Sequence, residues 1–164
     1  MKIKSLPELK RIVTNLKKKG KKIVFTNGCF DLLHPGHIYY LKEAKKKGSI
    51  LILGLNSDSS VRKLKGKGRP LIPQKDRAEL LANFEFIDYI TIFDEDTPER
   101  LIKQISPDVL VKGGDYKKED VIGGKFVAEK GGKVLIIPFL KGHSTSKLIK
   151  KIKRVGNTST TYKL

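Results

Sequence analysis

The chain has 164 residues, with 35 Lys and Arg against 17 Asp and Glu, for a formal net charge of +18. That length suits one domain, and 38% hydrophobic residues arriving in clustered runs such as Ile50-Leu51-Ile52-Leu53 exclude global disorder. No apolar run approaches the roughly 18–20 residues that cross a bilayer, and the charged N-terminus does not read as a signal peptide. The single cysteine, Cys29, excludes an intrachain disulfide and an all-cysteine zinc site, so a cytoplasmic setting is expected.

The positive surplus predicts anionic partners, either nucleic acid or phosphorylated metabolites, because the field raises their local concentration and on-rate. Most individual lysines nevertheless read as solvated. Lys17-Lys18-Lys19 and Lys45-Lys46-Lys47 stand beside Gly20 and Gly48 at predicted helix ends, where cations are mildly stabilising. Abundant Lys with two Gln, one Cys and one Met also matches the composition of proteins from hot-living organisms.

Ser5-Leu6-Pro7-Glu8 predicts a capped helix start, and Leu9, Ile12, Val13 and Leu16 follow at helical spacing until Gly20. Ile23 to Thr26 reads as a buried strand, followed by a polar glycine-bearing turn, a helix from Ile38 to Lys47 and a strand from Ile50 to Leu55. The alternation repeats: helix Gln74 to Phe84, strand Tyr89 to Phe93, helix Pro98 to Ile105, strand Val109 to Lys112. A helix around Gly123 to Lys130, strand Val134 to Ile137 and a helix from Ser144 to about Lys153 complete it, with Val155 to Leu164 as a polar, frayed tail. Five strands separated by helices predict an α/β, doubly wound, Rossmann-like five-stranded parallel sheet, with an N-terminal helix in 1–21 ahead of a domain over 22–154. Ligands of such sheets sit beyond the carboxyl ends of the strands, where strand order reverses.

The turn after the first strand is Thr26-Asn27-Gly28-Cys29-Phe30-Asp31-Leu32-Leu33-His34-Pro35-Gly36-His37, and it holds two of the three histidines. Gly36 lets backbone approach a ligand, and the first amides of the following helix form an anion site for which phosphate is the natural occupant. His34 and His37, three apart, project from one face towards it, each able to donate to a phosphate oxygen. No third ligand stands nearby in a recognised zinc pattern.

The stretch Asn27 to His37 resembles the nucleotidyltransferase superfamily, whose members carry G-x-F-D-x-x-H-x-G-H. The resemblance continues through Asn56-Ser57-Asp58, Lys63-Leu64-Lys65-Gly66, Arg69-Pro70, Arg77 and Gly142-His143-Ser144-Thr145-Ser146, and spans about Lys22 to Ile152. Within the superfamily, Leu64-Lys65-Gly66, Asp96-Thr97-Pro98, Val111-Lys112-Gly113-Gly114-Asp115-Tyr116 and His143-Ser144-Thr145-Ser146 look like the adenylyltransferase branch of ADP-heptose synthesis. That resemblance implies transfer of AMP from ATP to D-glycero-β-D-manno-heptose 1-phosphate with magnesium, as part of lipopolysaccharide core synthesis. It also implies a homodimer, and a separate protein to supply the sugar phosphate, since many relatives carry a fused kinase.

The resemblance implies roles as well. His34 and His37 hold the phosphates and the pentacoordinate transition state, while Lys65 and Lys63 belong to a basic loop over triphosphate and acceptor phosphate. Asn27, Gly28, Phe30 and Gly36 line the nucleotide. Asp31 either orients the motif, helps to hold magnesium, or simply bonds backbone amides. Arg77 turns to the phosphates unless it packs structurally. Cys29 serves as a backbone contact, because direct attack by the acceptor needs no covalent intermediate. Lys112, Gly113, Gly114 and Asp115 approach base or ribose, and Ser144, Thr145 and Ser146 either cap a helix or grip the β- and γ-phosphates. Phe139-Leu140 stands where cytidylyltransferases carry Arg-Thr, which disfavours cytidylyl transfer, with Lys141 in place of the missing charge. The other readings are a cytidylyl- or pantetheine-phosphate-type transferase and a nucleic-acid-binding module. The last is weakened by the absence of a tRNA-binding extension, a KMSKS loop or an aromatic-rich strand.

Overall fold

The computed structural model describes residues 1–114 and 116–156; the candidate Asp115 and residues 157–164 lie outside the described residues. Five parallel strands, β1 (Ile23–Gly28), β2 (Ile50–Asn56), β3 (Tyr89–Phe93), β4 (Val109–Gly113) and β5 (Lys133–Ile137), form one sheet in the order β3-β2-β1-β4-β5. The chain starts at the centre, winds outward to β3, then crosses back to lay β4 against the free side of β1. The reversal therefore falls between β1 and β4, and this is the doubly wound arrangement expected of alternating strands and helices.

Strands with such apolar runs must be covered on both faces. On one face Tyr40, Leu41 and Ala44 of α2 (Pro35–Lys45) and Ala78 and Leu81 of α4 (Gln74–Ala82) pack on Val24, Leu51, Leu53 and Val109. On the other, Leu9 and Val13 of α1 (Leu6–Lys18), Leu101, Ile102 and Ile105 of α5 (Glu99–Ile105) and Val127 of α6 (Gly124–Glu129) cover Phe25, Ile52 and Leu110. The α1 start is capped as its sequence predicts, the Glu8 carboxylate accepting from the Ser5 amide at 2.9 Å.

Three elements differ from expectation. A helix, α3 (Asp58–Lys65), forms where a basic loop was expected; Ser57 caps it, its hydroxyl accepting from the Ser60 amide at 3.2 Å. Helix α2 begins at Pro35 rather than Ile38, because Pro35 is preset for the first turn and its missing N–H costs nothing there. Helix α7 (Thr145–Gly156) runs past the expected start of the tail, so Val155 and Gly156 are helical.

Candidate active site

The site is built on β1, the strand at the reversal. Buried Thr26 on β1 shares a 2.6 Å hydrogen bond with the Tyr40 hydroxyl of α2, which donates to the Val111 carbonyl of β4 at 3.1 Å. Strand, helix and neighbouring strand are thus tied together just behind the turn that carries the histidines.

That turn is strained. Phe30 and Leu32, on either side of Asp31, have φ of 47° and 54°, left-handed values that cost bulky residues about 1–3 kcal/mol each unless the surroundings enforce them. The surroundings do enforce them. The buried Asp31 carboxylate accepts from Arg69 Nε at 2.7 Å and from the Leu71 and Ile72 amides at 2.8 and 2.9 Å. Arg77 donates to the carbonyls of Cys29 at 2.6 Å, Asn56 at 2.9 Å and Ile72 at 2.9 Å, and to the Asp58 carboxylate at 2.7 Å. Thr145, opening α7, donates to the Asp31 carbonyl at 3.1 Å. The motif loop is therefore clamped from α4, from the 69–72 segment and from α7.

His34 caps α2, its carbonyl accepting from the His37 amide at 2.9 Å. The two imidazoles stack with centroids 3.8 Å apart and planes at 23°, and Phe30 flanks His37 at 5.2 Å. Both Nδ1 atoms are buried and without a hydrogen-bond partner. Gly36 permits this: a Cβ there would stand 2.9 Å from His34 Cε1 and 3.2 Å from the His143 Cβ. Two buried unpaired nitrogens at a helix N-terminus are polar groups arranged for something from outside.

Burial lowers the pKa of His34, helped by His143, and pushes His37 down to about 4, helped by His34. Both rings are thus neutral at physiological pH in the free protein. Between about pH 4 and the ordinary 6.5 the unfolded chain binds a proton that folded His37 refuses, so this residue makes stability rise with pH over that window. The contribution reaches on the order of 3 kcal/mol. We expect His37→Gln to flatten the pH dependence of the urea midpoint between pH 4 and 7; an unchanged slope would assign the acid sensitivity elsewhere.

Next to the pair, Lys112 at the end of β4 donates to Asn27 Oδ1 on β1 at 2.6 Å, bridging the reversal, and burial lowers its pKa to about 8. Burial raises the pKa of Cys29, against the pull of Lys65, Arg77 and Arg69. The thiol carries no sign of nucleophile activation. Ser144 caps α7, its hydroxyl accepting from the Lys147 amide at 3.2 Å; Thr145 and Ser146 follow in the first turn, with Ser146 exposed.

The free protein engages several of the expected site residues in internal contacts. Arg77, 1% exposed, spends four donor contacts inside the protein, the structural packing that was the alternative to phosphate binding. Asp31 bonds backbone amides, one of the readings offered for it, but those of remote Leu71 and Ile72 rather than of its own turn, and these amides with Arg69 hold its pKa down against burial. Lys63 and Lys65 end a helix instead of riding a loop; Lys63 is held by exposed Asp96 at 2.8 Å, and the open glycine segment Gly66-Lys67-Gly68 follows them. The room above Gly114 (φ +98°) is filled: a Cβ there would stand 2.3 Å from Phe139 Cε2, and one on Gly113 would stand 3.2 Å from Phe139 Cε1. Among the described residues no three His, Cys, Asp or Glu side chains converge to hold a metal, and no helix is long and apolar enough to cross a membrane.

The residues that do the clamping, Arg69, Asn56 and Asp58, were not among the expected site residues. Their signal is that Arg69-Pro70 and Asn56-Ser57-Asp58 belong to the motifs that carry the superfamily resemblance, which marks the segments but not what they hold.

Comparison with known proteins fits this geometry. The family model described as cytidylyltransferase-like matches residues 25–161. The chain belongs to the cytidylyltransferase-like family. With the family comes the reaction class, nucleotidyl transfer, and the fold read from its sheet. The bifunctional protein HldE of Geobacter metallireducens is 57% identical over 153 residues, covering 93% of this chain and 31% of that protein. HldE of Nitratiruptor sp. is 52% identical over 151 residues, covering 92% and 32%. The chain thus spans about a third of the length of these relatives. Among solved structures, the lipopolysaccharide core biosynthesis protein of Thermoplasma volcanium superposes with a TM-score of 0.62 at 26% identity, covering 76% of this chain and 100% of that one. Pantoate-beta-alanine ligase of Francisella tularensis superposes at 0.61 with 15% identity, covering 100% and 82%, a likeness of fold.

Proposed function

We propose that this cytidylyltransferase-like protein is an adenylyltransferase that moves AMP from ATP to D-glycero-β-D-manno-heptose 1-phosphate, giving ADP-D-glycero-β-D-manno-heptose and pyrophosphate. The observation that carries the reading is the stacked His34–His37 pair, with both buried Nδ1 atoms unpartnered at the N-terminus of α2, beside the β1–β4 reversal. The choice of sugar phosphate rests on the likeness to the HldE relatives and to the lipopolysaccharide core biosynthesis protein of Thermoplasma volcanium.

The acceptor phosphate is already an anionic nucleophile, so the site needs no strong base. Its oxygen attacks the α-phosphorus in line, the bond from that phosphorus to the bridging oxygen breaks, and pyrophosphate leaves with the electron pair. The protein's work is alignment and neutralisation of the charge that grows on the phosphoryl oxygens. His34 and His37 donate hydrogen bonds to them, and the amides opening α2 and α7 add their dipoles. Lys112, poised beside Asn27, meets the nucleotide, and Lys63 and Lys65 reach the acceptor phosphate once Lys63 leaves Asp96. Magnesium, when bound, supplies further charge neutralisation on the triphosphate; with Asp31 committed internally, the phosphate oxygens are its expected ligands. The expected setting is the cytoplasm and the expected assembly a homodimer, which light scattering tests.

Pyrophosphate release over a panel of nucleotides and acceptors is the decisive assay. ATP with the β-anomer should be the productive pair, with CTP and the α-anomer poor. The wrong anomer aims the same charge along a different line. Faster turnover of glycerol 3-phosphate with CTP, or phosphopantetheine with ATP, would keep the family and replace the substrate.

Lysine variants separate a site from a field. Lys63→Ala or Lys65→Ala should each lower turnover about ten-fold or more, the scale of one lost charge-assisted bond. Lys46→Ala removes the same charge from an exposed helix end and should leave turnover nearly unchanged. Equal losses at all three would mean that the lysines act only through general steering.

A further inference from the structure

Phe139 lies just beyond β5, on the same carboxyl edge of the sheet as the histidines, and one side of its ring rests on the backbone of Gly113 and Gly114 at the end of β4. Any Cβ at Gly114 would overlap the ring, so both glycines serve to seat it. Yet Phe139 is 65% exposed, more than any other Phe or Leu among the exposed large apolar residues. A ring pinned on one side by backbone and open on the other is a platform rather than a core residue.

Its position relative to the histidines follows from the chain. Four residues after Phe139, His143 lies against Gly36, where a Cβ would stand 3.2 Å from the His143 Cβ. The span between is folded by a turn in which the His143 amide donates to the Leu140 carbonyl at 3.3 Å. Four residues extend at most roughly 14 Å, and the turn brings Leu140 and His143 to within about 7 Å. The open face therefore stands one short loop away from the phosphate-binding end of α2, within the reach of a single bound nucleotide.

We infer that Phe139 is the stacking platform for the nucleotide base, whose ring lies on the exposed face of Phe139 while its phosphates reach the His34–His37 pair. Aromatic stacking accepts any base, because every base has a π-face. Phe139 thus provides affinity for the nucleoside, and discrimination between adenine and cytosine falls to polar groups around the base edge. This inference rests on the nucleotide-transfer reading of the same site.

The chain has no tryptophan, so Phe139→Trp installs a single indole reporter at the proposed contact. We expect ATP and AMP to quench its emission saturably, and inorganic triphosphate, which has no base, to leave it unchanged. Phe139→Leu should weaken ATP binding by calorimetry about ten-fold or more, the scale of one lost base–aromatic stack, and Phe139→Tyr should restore it. Inorganic triphosphate should bind all these variants alike, a control that an unfolded variant would fail. Saturable ATP binding with unmoved emission, or equal affinity in Phe139→Leu, overturns the platform and leaves the transferase reading standing. If the unaltered protein binds no nucleotide by calorimetry, the transferase reading fails and the platform with it.

Discussion

His37→Ala will lower turnover by two or more orders of magnitude while leaving the protein as stable as before or more so. The first half follows from the proposed chemistry: a preorganised donor aimed at a developing phosphoryl charge commonly carries that much of the rate. The second half follows from the free protein. His37 Nδ1 is buried without a partner and burial has driven the ring's pKa down to about 4, so the side chain satisfies no polar group and its removal orphans none. What is lost is the stacking on His34 at 3.8 Å and the contact with Phe30 at 5.2 Å. A residue tuned for a ligand is one whose deletion harms activity and spares the fold. Steady-state pyrophosphate release and thermal unfolding of the same preparation test both halves; near-normal turnover in folded protein would remove His37 from the mechanism.

The ligand itself should reverse the suppression of these pKa values. A triphosphate brought against His34 and His37 favours their protonated forms, so nucleotide binding near pH 6 will take up protons. Calorimetry in buffers of different ionisation enthalpy reads this directly, and uptake should vanish in a His34→Gln, His37→Gln double variant. Binding with no proton uptake in the unaltered protein would mean that the phosphates do not reach the rings.

How much of this was legible in the sequence depends on the range of the interaction. The five strands announce themselves because runs such as Ile50 to Leu55 carry β-branched and apolar residues between turns. The histidine pair is legible because its spacing, its glycine and its place between strand and helix are all local. Helix α3 is not, because Asp58 to Lys65 offers only Val61 and Leu64 as apolar residues, and Leu64 is half exposed. Its stability comes instead from the Ser57 cap and from the bond between Asn56 Nδ2 and Ser60 Oγ at 2.9 Å. The destinations of Asp31 and Arg77 are hidden for another reason: their partners sit some 40 and 48 positions away at Leu71 and Cys29, and a one-dimensional pattern does not say which carbonyls converge. Gly113 and Gly114 were expected to admit a base or ribose, whereas in the free protein what approaches them is Phe139, from the next strand's end.

The same long-range network yields the largest expected effect on folding. Arg77→Met will destabilise the protein by about 3–5 kcal/mol, the scale of breaking a buried, hydrogen-bonded ion pair. The guanidinium is 1% exposed and joins four points on separate elements: Cys29 in the motif loop, Asn56 at the end of β2, Ile72 ahead of α4 and Asp58 at the start of α3. Methionine fills similar volume but leaves the Asp58 carboxylate without its partner and strips donors from three carbonyls. With the Cys29 carbonyl released, less holds Phe30 and Leu32 in their left-handed conformations. Arg77→Lys should recover only part of the loss, since one ammonium cannot reproduce the planar fork. Against a typical total of about 5–15 kcal/mol, this moves the midpoint of thermal unfolding by roughly 10 °C or more. The measurement belongs on the nucleotide-free protein, where a phosphate-binding arginine would contribute nothing to stability. An unshifted midpoint together with lost ATP affinity would return Arg77 to the phosphates; a lowered midpoint fixes it as the clamp that holds the histidine loop in place.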